Sequence, residues 1–432
     1  MSWTTRKIAG FWNRFFFEPE SAAAAGFVRI LFGFLAVAWG VLVASDLEAF
    51  FGPYGVLSPE TQPQVVPFFR INFLMLAPDS LAWLWAFFSI YMLGALMLTL
   101  GLFTRVGAVL VFLGLVSFSH RNPFILNSGD TLLRAMSFYL IFLPGNAAYS
   151  LDRLIAVARA NSPVVRPKVA PWALRMIQIQ LCICYLSTAL WKSAGGMWWD
   201  GTALYYASNL YEFQRFKFDF LFDELWKLKL GTWITLLLEF ALPFLLWVPK
   251  LRNPLIFVGV AFHFGIEMTM NIPLFQYVMI CSVLSFVRGK DLEKAGVWIA
   301  KRLGPKLGPV AHVYFDGECE FCRRSADVIR VLDVLARFEW VNFRKVSKSK
   351  FDLPRAEKEM LLLTPEGEWL GGFYAFRWMS WKMPLTMPIA WALYLPGIAQ
   401  AGPWAYAWVA SHRYLFLGRA CDAEGGACGI HR

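Results

Sequence analysis

Charge is scarce in this chain. Asp, Glu, Lys and Arg make up 16% of its 432 residues, while 58% are hydrophobic and 17% aromatic. So little polar material cannot cover so much apolar surface, which excludes a wholly soluble protein. A secreted disulfide framework is excluded as well. There are seven cysteines. Cys182, Cys184 and Cys281 sit inside apolar runs and read as small hydrophobes; the other four lie near the C-terminus. No dense basic block alternates with aromatics, so nucleic acid is set aside as a partner despite a formal net charge of +11. A cleavable signal peptide is not expected. Arg6, Lys7 and Arg14 precede the first apolar run, but the small residues Ala22 to Ala25 come before that run, not after it. Internal repeats and low-complexity tracts are missing too, and the lack of a repeat weighs against a transporter.

What is present is a series of apolar stretches. Eight fall at 22–44, 80–101, 105–119, 128–143, 172–192, 231–249, 254–271 and 273–288, several near the ~20 residues that cross a bilayer. The expected fold class is an all-α polytopic membrane bundle of about eight helices followed by a small α/β domain. Cations fix the expected orientation. Arg6, Lys7, Arg14, Arg105, Arg153, Arg159, Arg166, Lys168, Lys250, Arg252, Arg288, Lys290 and Lys294 fall on one set of connections. The positive-inside rule then predicts cytoplasmic N- and C-termini in a cell membrane, read as a bacterial inner membrane. The aromatic loop "LYYASNLYEFQRFKFDFLF" between the fifth and sixth stretches is expected to lie along the interface.

Ionisable groups at membrane depth are costly and call for a reason. Lys192 closes the fifth stretch in "TALWKSAGGMWWDG". Either it snorkels to the surface, or it is a base at the lip of a cavity walled by Trp191, Trp198 and Trp199. The expected orientation puts Asn127, Asp130, Arg134, His263 and Glu267 in the outer halves of their helices, at a depth similar to Lys192. Asp130 and Arg134, and likewise His263 and Glu267, are i,i+4 pairs. Each is either a structural pair or part of a polar site. Arg29 is open to a snorkelling reading. Glu239, mid-helix, must be protonated, paired or lining a cavity. A lysine serves as base near neutral pH only where desolvation or a neighbouring cation lowers its pKa.

"YLSTALWKSAGGMWWDGTALYY", "FHFGIEMTMNIPLFQYVMI", "AAGFVRILFG", "FGPYGVLSP" and "LIFLPGNAAYSLD" together resemble the vitamin K-dependent γ-carboxylases and the wider HTTM membrane family over roughly residues 20–290. The resemblance implies that Lys192 deprotonates a hydroquinone, so a quinone is the implied cofactor. Where those carboxylases carry a functional histidine this chain reads "NSGDTLLR". The expected substrate is therefore a lipid-soluble quinone or a small peptide rather than a protein glutamate.

After the apparent linker "KRLGPKLGP", a strand "AHVYF" leads to Cys319 and Cys322, with a helix expected from about Cys319 to Phe338 and then a hairpin through "MLLLTPEGEWLGG". Strand, Cys-x-x-Cys and helix together predict a thioredoxin-like redox site, the helix N-terminus favouring the Cys319 thiolate. Two other readings stay open: Cys421 and Cys428, with His412 or His431, joining the pair as zinc ligands, or a purely structural pair. Residues 310–432 resemble the DCC thiol-disulfide oxidoreductase-like family, including "RACDAEGGAC". The expected domains are thus 1–20, 21–290, a linker 291–309, and 310–432. The expected partners are the lipid bilayer, a peptide or lipid-soluble substrate, and a cytoplasmic thiol reductant. The competing function is a non-enzymatic maturation or assembly factor that binds a client peptide or lipid.

Overall fold

The computed structural model describes residues 3–66, 70–160, 165–218, 220, 223–346 and 353–413. The chain divides into two compact units, one of residues 1–153 with 166–292, the other of residues 154–165 with 293–432. In the first unit each of the eight apolar stretches is helical: α1 Ala23–Ala44, α2 Leu81–Leu100, α3 Thr104–Arg121, α4 Ser128–Phe142, α5 Trp172–Ser193, α6 Leu225–Leu245, α7 Arg252–Thr269 and α8 Phe275–Leu284. Four of them, α1, α2, α5 and α6, are long and apolar enough to cross a membrane. At 1.5 Å per residue, 22 residues reach roughly 33 Å. Local chemistry sets several ends. The Ser80 hydroxyl accepts from Trp83 N at 3.1 Å to start α2, and Gly101 at φ +69° stops it.

α1, α2 and α3 close on an aromatic knot, with Trp39, Phe51, Phe87, Phe88 and Tyr91 all around the buried Phe118 ring. α5 packs on α6 and α4, and α8 on α7 and α4. Where α2 crosses α3, a Cβ added to Gly107 would stand 2.9 Å from the Gly94 carbonyl oxygen, so small residues permit the approach. Arg29 is buried and does not snorkel. Its guanidinium donates to the Leu98 and Thr99 carbonyls at 2.8 Å each and to the Tyr149 carbonyl. It thereby satisfies orphan acceptors at the end of α2. Two short strands, β1 Glu20–Ser21 and β2 Lys168–Val169, pair antiparallel.

The second unit holds a four-stranded sheet in the order β4-β3-β5-β6, with β3 Ala311–Phe315, β4 Phe338–Asn342, β5 Leu361–Leu363 and β6 Trp369–Gly371. β3 runs parallel to β4 and antiparallel to β5, and β5 antiparallel to β6. β3 alternates buried and half-buried positions, which gives the sheet one core face. Helix α9, Glu320–Leu332, follows β3. It is shorter than the span to Phe338 expected from the sequence. Asp333 ends it by accepting from Arg337 N at 2.8 Å and Phe338 N at 3.0 Å, and Ala336 turns through φ +51°. Helices α10 Gly372–Lys382 and α11 Pro396–Ser411 complete the described part.

The stretch expected as a linker runs instead as a helix, Gly289–Leu303, and a 3-10 turn, Gly304–Leu307. The buried Arg337 grips that turn, donating to the carbonyls of Gly304, Leu307, Gly308 and Pro309 at 2.7–3.0 Å. Charge-assisted bonds of this kind are worth about 1.5–3 kcal/mol apiece. Arg337→Ala is expected to lower the stability of this unit by on the order of 3 kcal/mol and to speed proteolysis between 304 and 309. Lysine should not rescue it, because only the planar fork reaches several carbonyls at once. Limited proteolysis of the full chain checks both.

Candidate functional site

Two groups of chemistry-bearing residues stand out, one in each unit. In the second unit, Cys319 is the N-cap of α9 and Cys322 lies in its first turn. The Cys322 N–H donates to the Cys319 sulfur at 3.3 Å. The loop that presents Cys319 is stapled from both sides. Asp316 accepts from Arg344 through Nε and Nη2, each at 2.7 Å, and from Glu318 N at 3.0 Å. Gly317 donates to Asn342 Oδ1 at 3.2 Å, so close to that side chain that a Cβ would collide with it. Burial works to raise the Asp316 carboxyl, but the Arg344 hydrogen bonds prevail and it lies below its usual value.

The Cys319 thiol is lowered to about 7. The largest cause is the hydrogen bond it receives from the Cys322 thiol; burial opposes this, while the Cys322 N–H and the Arg413 guanidinium assist. Cys322 is pushed up, first by donating to Cys319 and then by burial. The pair is therefore asymmetric, with the thiolate favoured at Cys319 and the protonated thiol at Cys322. Alkylation of Cys319 by iodoacetamide should reach half its maximal rate at pH about 7. Arg413→Ala should move that midpoint upward, and a rate–pH profile reads the shift. Arg413 is anchored by donating to the Glu357 carbonyl at 2.9 Å. The Tyr406 hydroxyl accepts from Met360 N at 3.0 Å. Neither residue carries a sequence signal, because both lie in the aromatic tail about 90 residues downstream of the dithiol.

In the first unit, α5 carries Tyr185 and Lys192 two turns apart on one face. Lys192 Nζ pairs with Glu239 Oε1 of α6 at 2.5 Å and lies 4.7 Å from the centre of the Trp198 ring. Glu239 is buried. The expected three-tryptophan wall reduces to Trp198. Because Lys192 turns toward α6, its neighbour Trp191 points away and is 82% exposed, and Trp199 is exposed as well. Tyr185, His263 and Gln276 form a buried chain across α5, α7 and α8. The Tyr185 hydroxyl meets His263 Nε2 at 2.7 Å, and His263 Nδ1 meets Gln276 Oε1 at 2.7 Å. The amide oxygen only accepts, so Nδ1 carries the proton and Nε2 accepts from the tyrosine.

Neither i,i+4 pair closes on itself. Glu267 pairs at 2.7 Å with Arg215 from the aromatic loop, not with His263. That loop is pinned along the end of α7 by Arg215 N to the Thr269 carbonyl and Phe216 N to the Met268 carbonyl. Asp130 accepts from Asn127 N at 2.8 Å in a capping box and from Trp39 Nε1 at 2.9 Å, leaving Arg134 without an ion pair to it. The capping demand at the start of α4 has won the carboxylate. Among the described residues no hydrogen bond or ion pair joins Lys192 to Asn127, Asp130, Arg134, His263 or Glu267. Cys421, Cys428 and His431, which the zinc reading needs, lie outside the described residues. His412 stacks on Trp408.

Comparison with known families gives two matches. A model of the HTTM domain matches residues 17–290, and a model of DCC1-like thiol-disulfide oxidoreductases matches residues 313–419. No solved structure matches the chain.

Proposed function

We propose that this chain, which belongs to the HTTM domain family, is a multi-pass membrane enzyme whose second unit exchanges thiols for disulfides at Cys319 and Cys322. The observation that carries the proposal is the Cys319 sulfur at the start of α9, receiving hydrogen bonds from both the N–H and the thiol of Cys322. The Cys319 thiolate attacks one sulfur of a substrate disulfide, forming a mixed disulfide and releasing a substrate thiolate. Cys322 then attacks Cys319, and the second substrate sulfur leaves as a thiol. Two electrons pass to the substrate, and a cytoplasmic thiol reductant restores the dithiol. The parallel β3–β4 pair, the antiparallel β5–β6 hairpin beside it and the dithiol at the start of α9 support a thioredoxin-like fold. Met360 stands ahead of β5, where thioredoxins have proline, and its N–H is taken by Tyr406. Basic residues between alternate helices support eight spans with both termini in the cytoplasm of a bacterial cell. Turnover of a dithiol–disulfide assay substrate by the full chain, measured against a double Cys319→Ser, Cys322→Ser variant, tests the reading.

A second reading rests on the Lys192–Glu239 pair. Lys192 would pass a proton to the buried Glu239 carboxylate it pairs with, and the neutral amine would then be the group able to take a proton from a hydroquinone hydroxyl. A lipid-soluble quinone is thus the proposed ligand of the bundle. Extraction of the purified protein followed by mass spectrometry for quinones tests it. A Lys192→Ala variant that keeps full activity would favour instead a maturation factor that binds a client peptide or lipid.

A further inference from the structure

From Trp369 to Cys421 the chain contains no Asp or Glu, yet it holds Arg377, Lys382, Arg413 and Arg419 and six tryptophans. With prolines at 384, 388, 396 and 403, the described part is a short helix Met387–Ala390, a 3-10 turn Trp391–Tyr394 and α11, which itself holds Pro403, too broken for a span. α11 packs inward through Gly402, where any side chain would strike the Phe373 ring, and through Tyr406 against Phe376. The sheet and α10 have a core of their own, built on Val313, Leu362, Ala375 and Met379. The large apolar side chains left over point outward. Leu385, Ile389, Trp391, Leu395, Ile398 and Trp404 are all exposed, Ile389 at 67% and Trp404 at 72%. Cations stand among the aromatics: Arg377 lies 4.5 Å from the Tyr394 ring centre and Lys382 4.9 Å from that of Trp378.

We propose that this surface rests on the anionic face of a lipid bilayer and anchors the dithiol unit there. Three observations select the bilayer. Tryptophan and tyrosine among cations is the composition of a membrane–water interface. Fifty-three residues without an acid match anionic headgroups, whereas a second copy of the same patch would bring like charges face to face. The unit is also covalently tied to a chain with membrane-length helices, so a weak contact suffices at the high local concentration the tether imposes. The reading stands apart from the proposed exchange chemistry, since it needs neither thiol. Its consequence for that chemistry is a bias toward membrane-borne disulfides or lipid-soluble oxidants.

The test uses the full chain in vesicles of phosphatidylcholine and phosphatidylglycerol, carrying Trp404→p-benzoylphenylalanine or Trp391→p-benzoylphenylalanine. Both positions are exposed, so neither substitution disturbs the core. After illumination, peptide mass spectrometry should find lipid adducts at both positions and a several-fold lower yield in pure phosphatidylcholine. A probe at Glu366, in the turn between β5 and β6, should give none. Cross-links from 391 and 404 to protein, in the same chain or a second copy, would overturn the proposal. So would recovery of both probes unreacted, or lipid yields indifferent to phosphatidylglycerol.

Discussion

Cys319→Ser is expected to bring thiol-disulfide exchange down to the uncatalysed rate, whereas Cys322→Ser should still attack and stall as a mixed disulfide. The two outcomes follow from the asymmetry of the pair. Cys319 is lowered to about 7 chiefly by the thiol hydrogen bond of Cys322. A serine at 322 keeps a donor, so the alkylation midpoint of Cys319 should stay near neutrality. Cys322→Ala removes the donor, and the midpoint should rise toward that of an ordinary thiol. The same shift has a stability consequence. The Cys319 thiol is lowered in the folded chain from its usual 9, so the stabilisation is fully present above pH about 9 and is lost as pH falls through about 7. A stabilised thiolate also makes the disulfide a stronger oxidant. Thiol trapping of the mixed disulfide by gel shift, with rates from a pH series, checks all three variants.

The second large effect is expected at the Lys192–Glu239 pair. Removing one partner of a buried ion pair strands the other and typically costs about 3–5 kcal/mol. Glu239 is buried while Lys192 is partly exposed, so Lys192→Ala should be the more damaging change: it leaves the carboxylate uncompensated. An apolar exchange of both, Lys192→Met with Glu239→Leu, should recover most of the stability, since well-packed apolar replacements of such pairs are often neutral or stabilising. It should not recover the proposed quinol-directed activity. Thermal unfolding beside an activity assay separates the two roles. Loss of activity that tracks stability alone, and returns with the double variant, would make the pair structural.

The helices were legible because their signals are local. The apolar runs 80–101 and 128–143 match α2 and α4 to within a residue or two. α6 begins at Leu225, earlier than its apolar core at 231, because Lys227 and Lys229 in its first turns read as loop. The dithiol was legible for the same reason, since strand, turn and Cys-x-x-Cys adjoin in sequence. The polar partners were not. Spacing offered Asp130 to Arg134 and His263 to Glu267, four residues apart. The fold instead gave Asp130 to an N-terminal cap and to Trp39, His263 to Tyr185 and Gln276, and Glu267 to Arg215. Glu239, flagged only as needing a partner, met Lys192 from 47 positions away. Burial of a charge announces that a partner exists, and only packing between helices decides which.

Exchange between Cys319 and Cys322 is the step on which the proposed chemistry depends. The most direct measurement is a redox titration of the full chain in glutathione buffers, with free thiols trapped and counted at those two positions. A single two-electron transition is predicted, with a midpoint inside the range of about −270 to −120 mV spanned by thioredoxin and its more oxidising relatives. Thiols that stay fully reduced across that range, or a disulfide that never opens within it, would contradict the account.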